Sequence, residues 1–132
     1  MLRAMLFLAL VLGAPALAEV QDIVGNHQSE TVTLTGQDKI QIMGNHNSLK
    51  AIGQSDRCAV VLMGNHNTVT LVSSGGATDM LGNHNTVVVD GDWRAINVLG
   101  NYNTVKIVRK EGRPEPAINR VGKNTQVLYV DP

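Results

Sequence analysis

Bulky rings are nearly missing from this chain: its 132 residues include one Trp, one Phe and two Tyr. Side chains of that kind usually carry much of a globular core. Their scarcity predicts a narrow core of aliphatic residues, and it argues against a sugar-stacking platform. Cysteine is scarcer still, with Cys58 standing alone. An internal disulfide is therefore excluded, which leaves either an intermolecular pair or a small buried residue. Charge of one sign is also lacking, with 11 Lys and Arg against 11 Asp and Glu. Without a basic excess the chain has no electrostatic footprint for nucleic acid or for an anionic membrane surface. No apolar run approaches the roughly 20 residues of a membrane-spanning helix.

The N-terminal segment "MLRAMLFLALVLGAPALA" combines Arg3, an apolar run from Ala4 to Leu12 and a small-residue end at Ala16-Leu17-Ala18. That is the pattern of a secretory signal peptide, with cleavage expected after Ala18. Residues 1–18 are thus expected to be a leader. Residues 19–132 are short enough for one domain. The expected location is exported, either periplasmic or extracellular.

Within that domain one phrase recurs: "QIMGNHNSLKA", "VLMGNHNTVTL", "DMLGNHNTVVV" and "NVLGNYNTVKI". Anchor glycines fall at Gly25, Gly44, Gly64, Gly82, Gly100 and Gly122, in steps of 19, 20, 18, 18 and 22 residues. A second glycine lies inside each interval, at Gly36, Gly53, Gly75, Gly91 and Gly112. Each repeat therefore reads as two segments separated by two glycine corners. The segments alternate with period two. Val32, Leu49, Val69, Val87, Val105 and Val127 form one inward set, with two extra residues allowed in the first copy. The sites between inward positions are mostly polar. Two short strands cannot bury their apolar faces alone, whereas stacked copies can. The predicted fold is an all-β, single-domain β-solenoid of about six coils. It has two short strands per coil and a coil step of about 4.8 Å. The charged stretch with Pro114 and Pro116, at about 109–117, is expected to bulge as a loop, and Arg120 replaces an inward aliphatic residue near the end.

The repeated tetrapeptide can be assigned position by position. The anchor glycine suits a corner with φ above zero. The first Asn (Asn26, Asn45, Asn65, Asn83, Asn101) tolerates the left-handed region and can bond the local backbone. The second polar residue (Gln28, Asn47, Asn67, Asn85, Asn103) shares parity with the inward Val, which predicts a buried amide ladder. Both Asn columns are read as structural. His27, His46, His66 and His84 have the opposite parity and are expected to point outward. Tyr102 is assigned the same place in the fifth coil and Lys123 in the sixth.

The motif "GNHNTVTL" at Gly64–Leu71 and its copies resemble families of small exported bacterial proteins of unknown function with GNNNTV-type repeats, over about residues 21–130. The same motif is distantly similar to the curlin repeats of extracellular amyloid fibres. It lacks their regular glutamines, and its core is Val, Ile and Leu rather than Ala. The first resemblance implies a β-solenoid, and neither implies catalytic residues.

The function expected from these features is that of a non-enzymatic, exported structural or interaction protein. It would act by surface contact or self-association, with itself or with a periplasmic or extracellular protein or surface as partner. No cofactor is required. The alternative is a divalent transition metal on the outward histidines. Neighbours about 5 Å apart would share one Zn²⁺, Cu²⁺ or Ni²⁺. A carbohydrate- or lattice-binding face is a weaker fit, because only Thr68 and Thr70 make a complete threonine pair. Asp38, Asp56, Asp79 and Asp92 recur near the second corner and suit solvated turns better than a calcium or acid–base row.

Overall fold

The computed structural model describes residues 19–132; the expected leader, residues 1–18, lies outside them. Among the described residues every regular element is a strand. β1 (Val20–Val24) and β2 (Ser29–Leu34) form the first coil, and β3 (Lys39–Met43) and β4 (Ser48–Gln54) the second. β5 (Ala59–Met63) opens the third. β6 (Thr68–Leu81) and β7 (Thr86–Leu99) each run through a corner from one coil into the next. β8 (Thr104–Val108), β9 (Ala117–Val121) and β10 (Gln126–Val130) complete the fifth and sixth. All pairings are parallel. One wall stacks β1, β3, β5, the later parts of β6 and β7, and β9. The other stacks β2, β4, the earlier parts of β6 and β7, β8 and β10. The chain is an all-β solenoid of six coils, the architecture that the repeats predict.

Its core is a set of in-register columns. Ile23, Ile42, Leu62, Met80 and Val98 lie one above another on the first wall, each buried. Leu49, Val69, Val87 and Val105 do the same on the second. Burying each such side chain is worth about 1.5–3 kcal/mol, and only a neighbouring coil can supply the cover. The repeat interval is therefore the unit of both sequence and stability.

The structure corrects three local expectations. The first copy holds no extra residues: Ser29 pairs with Ser48 and Glu30 with Leu49, so Glu30 rather than Val32 begins the inward column. Gly53, Gly75 and Gly91 are absent from the residues with positive φ, and the bend nearest them falls on Ser73, at φ 67. They are small because something lies against them. A Cβ on Gly75 would stand 2.3 Å from the Trp93 ring, and one on Gly53 would stand 1.9 Å from the Ser74 carbonyl oxygen. Trp93 itself is buried and donates its indole N–H to the Val72 carbonyl at 3.3 Å. β7 runs through its corner as a strand with no residue at positive φ, whereas β6 does so with Ser73 in the left-handed region.

The third correction concerns the outside. The position just before each anchor glycine points outward and is apolar in all six coils: Val24, Met43, Met63, Leu81, Leu99 and Val121. Val24, Leu81, Leu99 and Val121 are 38–64% exposed. The outer face of the first wall is thus less polar than alternation alone implies. The expected bulge follows β8, and Arg113 ties it down against Asp90 at 3.3 Å, Asp92 at 3.6 Å and the Val108 carbonyl at 2.9 Å.

Candidate functional site

The Gly-Asn-His-Asn corner is built by backbone groups seeking partners in the neighbouring coils. The histidine, not the first Asn, takes the left-handed conformation: His27, His46, His66 and His84 have φ of 57–58. Tyr102 follows at φ 57, and in the sixth coil the place belongs to Asn124 at φ 57. Lys123 occupies the first-Asn position instead, since its N–H donates to Asn101 Oδ1 at 2.8 Å.

The two Asn columns satisfy the corner in opposite directions. Along the outer column the N–H of each later coil donates to the Oδ1 below. Asn45 thus reaches Asn26, Asn65 reaches Asn45, Asn83 reaches Asn65 and Asn101 reaches Asn83, at 2.8–3.0 Å. Along the inner column the N–H of each earlier coil donates to the side chain above. Gln28 donates to Asn47, Asn47 to Asn67, Asn67 to Asn85 and Asn85 to Asn103, at 2.8–2.9 Å. Each inner Nδ2 then donates to a glycine carbonyl one coil earlier: Asn47 to Gly25, Asn67 to Gly44, Asn85 to Gly64 and Asn103 to Gly82, all at 2.9 Å. Buried backbone groups without partners are costly, which is why Asn recurs on both sides of the corner. The anchor glycine recurs for space as well as for φ. A Cβ on Gly44, Gly64, Gly82 or Gly100 would fall 1.8 Å from the carbonyl oxygen of the glycine below.

This scaffold holds the histidine rings outward as one face-to-face stack. Centroids of His27, His46, His66 and His84 are 4.9–5.0 Å apart, with interplanar angles of 3–6°. Tyr102 extends the stack at 5.1 Å. The exposed Asn column lies beside it, so rings and amides line one shallow groove. Equivalent nitrogens on neighbouring rings repeat with that spacing. Two N–metal bonds of about 2.1 Å span at most ~4.2 Å, so a shared ion would require one ring to turn out of the stack. Among the described residues no group of three or more His, Cys, Asp or Glu is placed to hold a metal.

The remaining singled-out residues do not converge with this groove. Cys58 is buried near the second corner, its thiol 3.3 Å from the Ser55 carbonyl oxygen. Burial pushes that thiol above its ordinary pKa. Asp38 binds the turn through Thr35 and the Glu19 N–H. Asp56 meets Arg94 at 3.7 Å in the open, and Asp92 meets Arg113. Asp79 is not at a corner at all; it sits on the outer face of the first wall, accepting from Asn97 Nδ2 at 2.8 Å. The residues that pattern reading missed are the six outward apolar ones. Their signal is the repeated Met or Leu directly before glycine, at a parity that strict alternation assigns to the surface. No family model, curated protein or solved structure matches the chain.

Proposed function

We propose that this is a non-enzymatic structural or interaction protein, exported by its first 18 residues and acting by surface contact or self-association. The exported GNNNTV-type repeat proteins that its motifs resemble belong to the same reading. One observation carries it: the outward column Val24, Met43, Met63, Leu81, Leu99 and Val121, running unbroken along the stack beside the rings. Single exposed apolar residues are ordinary, but a contiguous rimmed strip on a small protein marks a contact surface. The test is a triple variant, Met63→Lys, Leu81→Glu and Leu99→Lys, compared with wild type by sedimentation velocity and by cross-linking in the exported fraction. Side-to-side species should disappear in the variant while its circular dichroism stays the same. A wild type whose species and cross-links do not change on substitution sinks the reading.

Transition-metal binding is the second reading, favoured by four exposed imidazoles held in register. Calorimetric titration with Zn²⁺, Cu²⁺ and Ni²⁺ tests it, alongside a variant with His27, His46, His66 and His84 changed to Asn. Micromolar binding that vanishes in the variant supports it. Binding that is absent, or indifferent to the substitutions, removes it.

A further inference from the structure

The 11 acidic residues balance the 11 basic ones, but they are not spread evenly over the solenoid. Asp38, Asp56, Asp90 and Asp92 gather around the second corner, and Asp22 and Asp79 lie on the outer face of the first wall. Across the Gly-Asn-His-Asn corner the outward columns hold no Asp or Glu among the described residues. Those columns run from Val24–Val121 through the outer Asn and the rings to the column of Ser29, Ser48, Thr68, Thr86 and Thr104. The next outward column, with Lys50 and Lys106, holds none either. Glu30 has the inward parity of the first coil and is already engaged. We infer that this acid-free groove binds a linear acidic polysaccharide, laid along the stack with about one sugar per coil. The inference goes beyond the contact reading above. It uses a different surface from the outward apolar column and stands whether or not copies of the chain associate.

The groove presents hydrogen-bond donors in rows. Oδ1 of Asn26, Asn45, Asn65, Asn83 and Asn101 accepts a backbone N–H of the next coil. The Nδ2 of each of these amides has no such partner and remains as a donor. Beside them the exposed rings of His27, His46, His66, His84 and Tyr102 repeat every 4.9–5.1 Å. Their faces are turned to one another, so their edges meet the ligand. On the other side of the rings stands the Ser and Thr column, whose hydroxyls both donate and accept.

A ligand that uses all of these rows must repeat with the coils. An extended chain of uronic acids advances per sugar by close to the coil step of about 4.8 Å. Each unit carries one carboxylate for the Asn and ring donors and free hydroxyls for the Ser and Thr row. An extended acidic peptide returns to the same side only every ~6.6 Å, so it loses register within two coils. Polyphosphate has no hydroxyls along its length for the Ser and Thr row. The scarcity of aromatic residues excludes a stacking platform, and recognition by ring edges and amides needs none.

Charge sets the pH dependence. A protonated imidazole donates from both ring nitrogens, and neighbouring imidazolium rings 4.9–5.0 Å apart repel one another. The other titratable groups along this strip are Tyr102, Lys50, Lys106 and Lys123, and none of them supplies negative charge at mildly acidic pH. The polymer supplies it, so binding tightens as imidazoles take up protons below about pH 6.5.

The experiment uses the full chain with a chelator present throughout, which removes the metal reading from the result. The probes are oligomers of mannuronic acid of graded length, followed by calorimetry. The rings and Tyr102 span four steps, so affinity should rise with length up to roughly five units, one per coil, and then level off. Affinity for the longest oligomer should increase about tenfold or more from about pH 7.5 to about pH 5.5. A variant with His27, His46, His66 and His84 changed to Asn, a residue that accepts the left-handed region, should keep its circular dichroism and lose that increase. A neutral variant of the apolar column, Met63→Gln, Leu81→Gln and Leu99→Gln, should bind the oligomers as wild type does. The two readings therefore fail separately. No binding at either pH, binding indifferent to length or to the histidines, or polyphosphate bound as tightly as the uronate would each overturn the inference.

Discussion

Replacing Asn67 by Ala tests the corner account most directly. Asn67 is 1% exposed, and its side chain holds two backbone groups. The Asn47 N–H donates to its Oδ1 at 2.8 Å, and its Nδ2 donates to the Gly44 carbonyl at 2.9 Å. Alanine leaves both unpaired inside the corner. Each orphaned buried polar group costs about 1–3 kcal/mol, so the expected loss is roughly 2–6 kcal/mol, a large share of the 5–15 kcal/mol that stabilises an ordinary domain. Asn65→Ala is the control. It removes one acceptor, used by the more exposed Asn83 N–H at 3.0 Å, and water can replace it. That loss should stay within about 1 kcal/mol. Urea unfolding supplies the two values. Hydrogen exchange locates the effect: protection of the Asn47 amide should collapse in Asn67→Ala, while the Asn67 amide, bonded to Asn85 Oδ1 at 2.9 Å, keeps its protection. Equal and small losses for the two variants would refute the claim that the inner ladder holds the corner together.

Other positions give independent checks. His66, at φ 57, should accept Asn or Gly with little change in melting temperature, whereas His66→Val should cost about 1–2 kcal/mol or more, because a β-branched residue is strained in the left-handed region. Trp93 is the only tryptophan and is buried beneath Gly53 and Gly75; Trp93→Ala should lose about 3–5 kcal/mol, and wild-type fluorescence should shift to the red only when the whole stack unfolds. The Cys58 thiol has its pKa raised by burial, so the folded state holds that proton more tightly than the unfolded chain does. Stability present at neutral pH should therefore decline as pH rises past the unfolded thiol value of about 8.5. Cys58→Ala should lack that extra decline, and equal slopes in the two proteins would contradict the assignment.

The division between what the chain's pattern declares and what its packing decides is clear at particular residues. Gly44, Gly64, Gly82 and Gly100 recur because a stacked glycine carbonyl lies where a Cβ would go, and a recurrence enforced by stacking is readable as periodicity. The inward Val and Leu columns are readable for the same reason: a period of two on a wall covered on one side leaves one parity apolar. The outward placement of the histidines follows from parity as well. The left-handed residue does not, because Asn and His both tolerate that region and only the hydrogen bonds to adjacent coils choose between them. Nor does register at the ends. Glu30 beneath Leu49, and Asn124 rather than Lys123 in the ring column, depend on which backbone pairs with which across 19 or 22 residues. Gly75 illustrates the limit best. Its neighbours in sequence give no reason for a glycine without positive φ, and the reason is Trp93, one coil away. Local chemistry is written along the chain, whereas a contact made by the return of the chain one coil later exists only once the stack has closed.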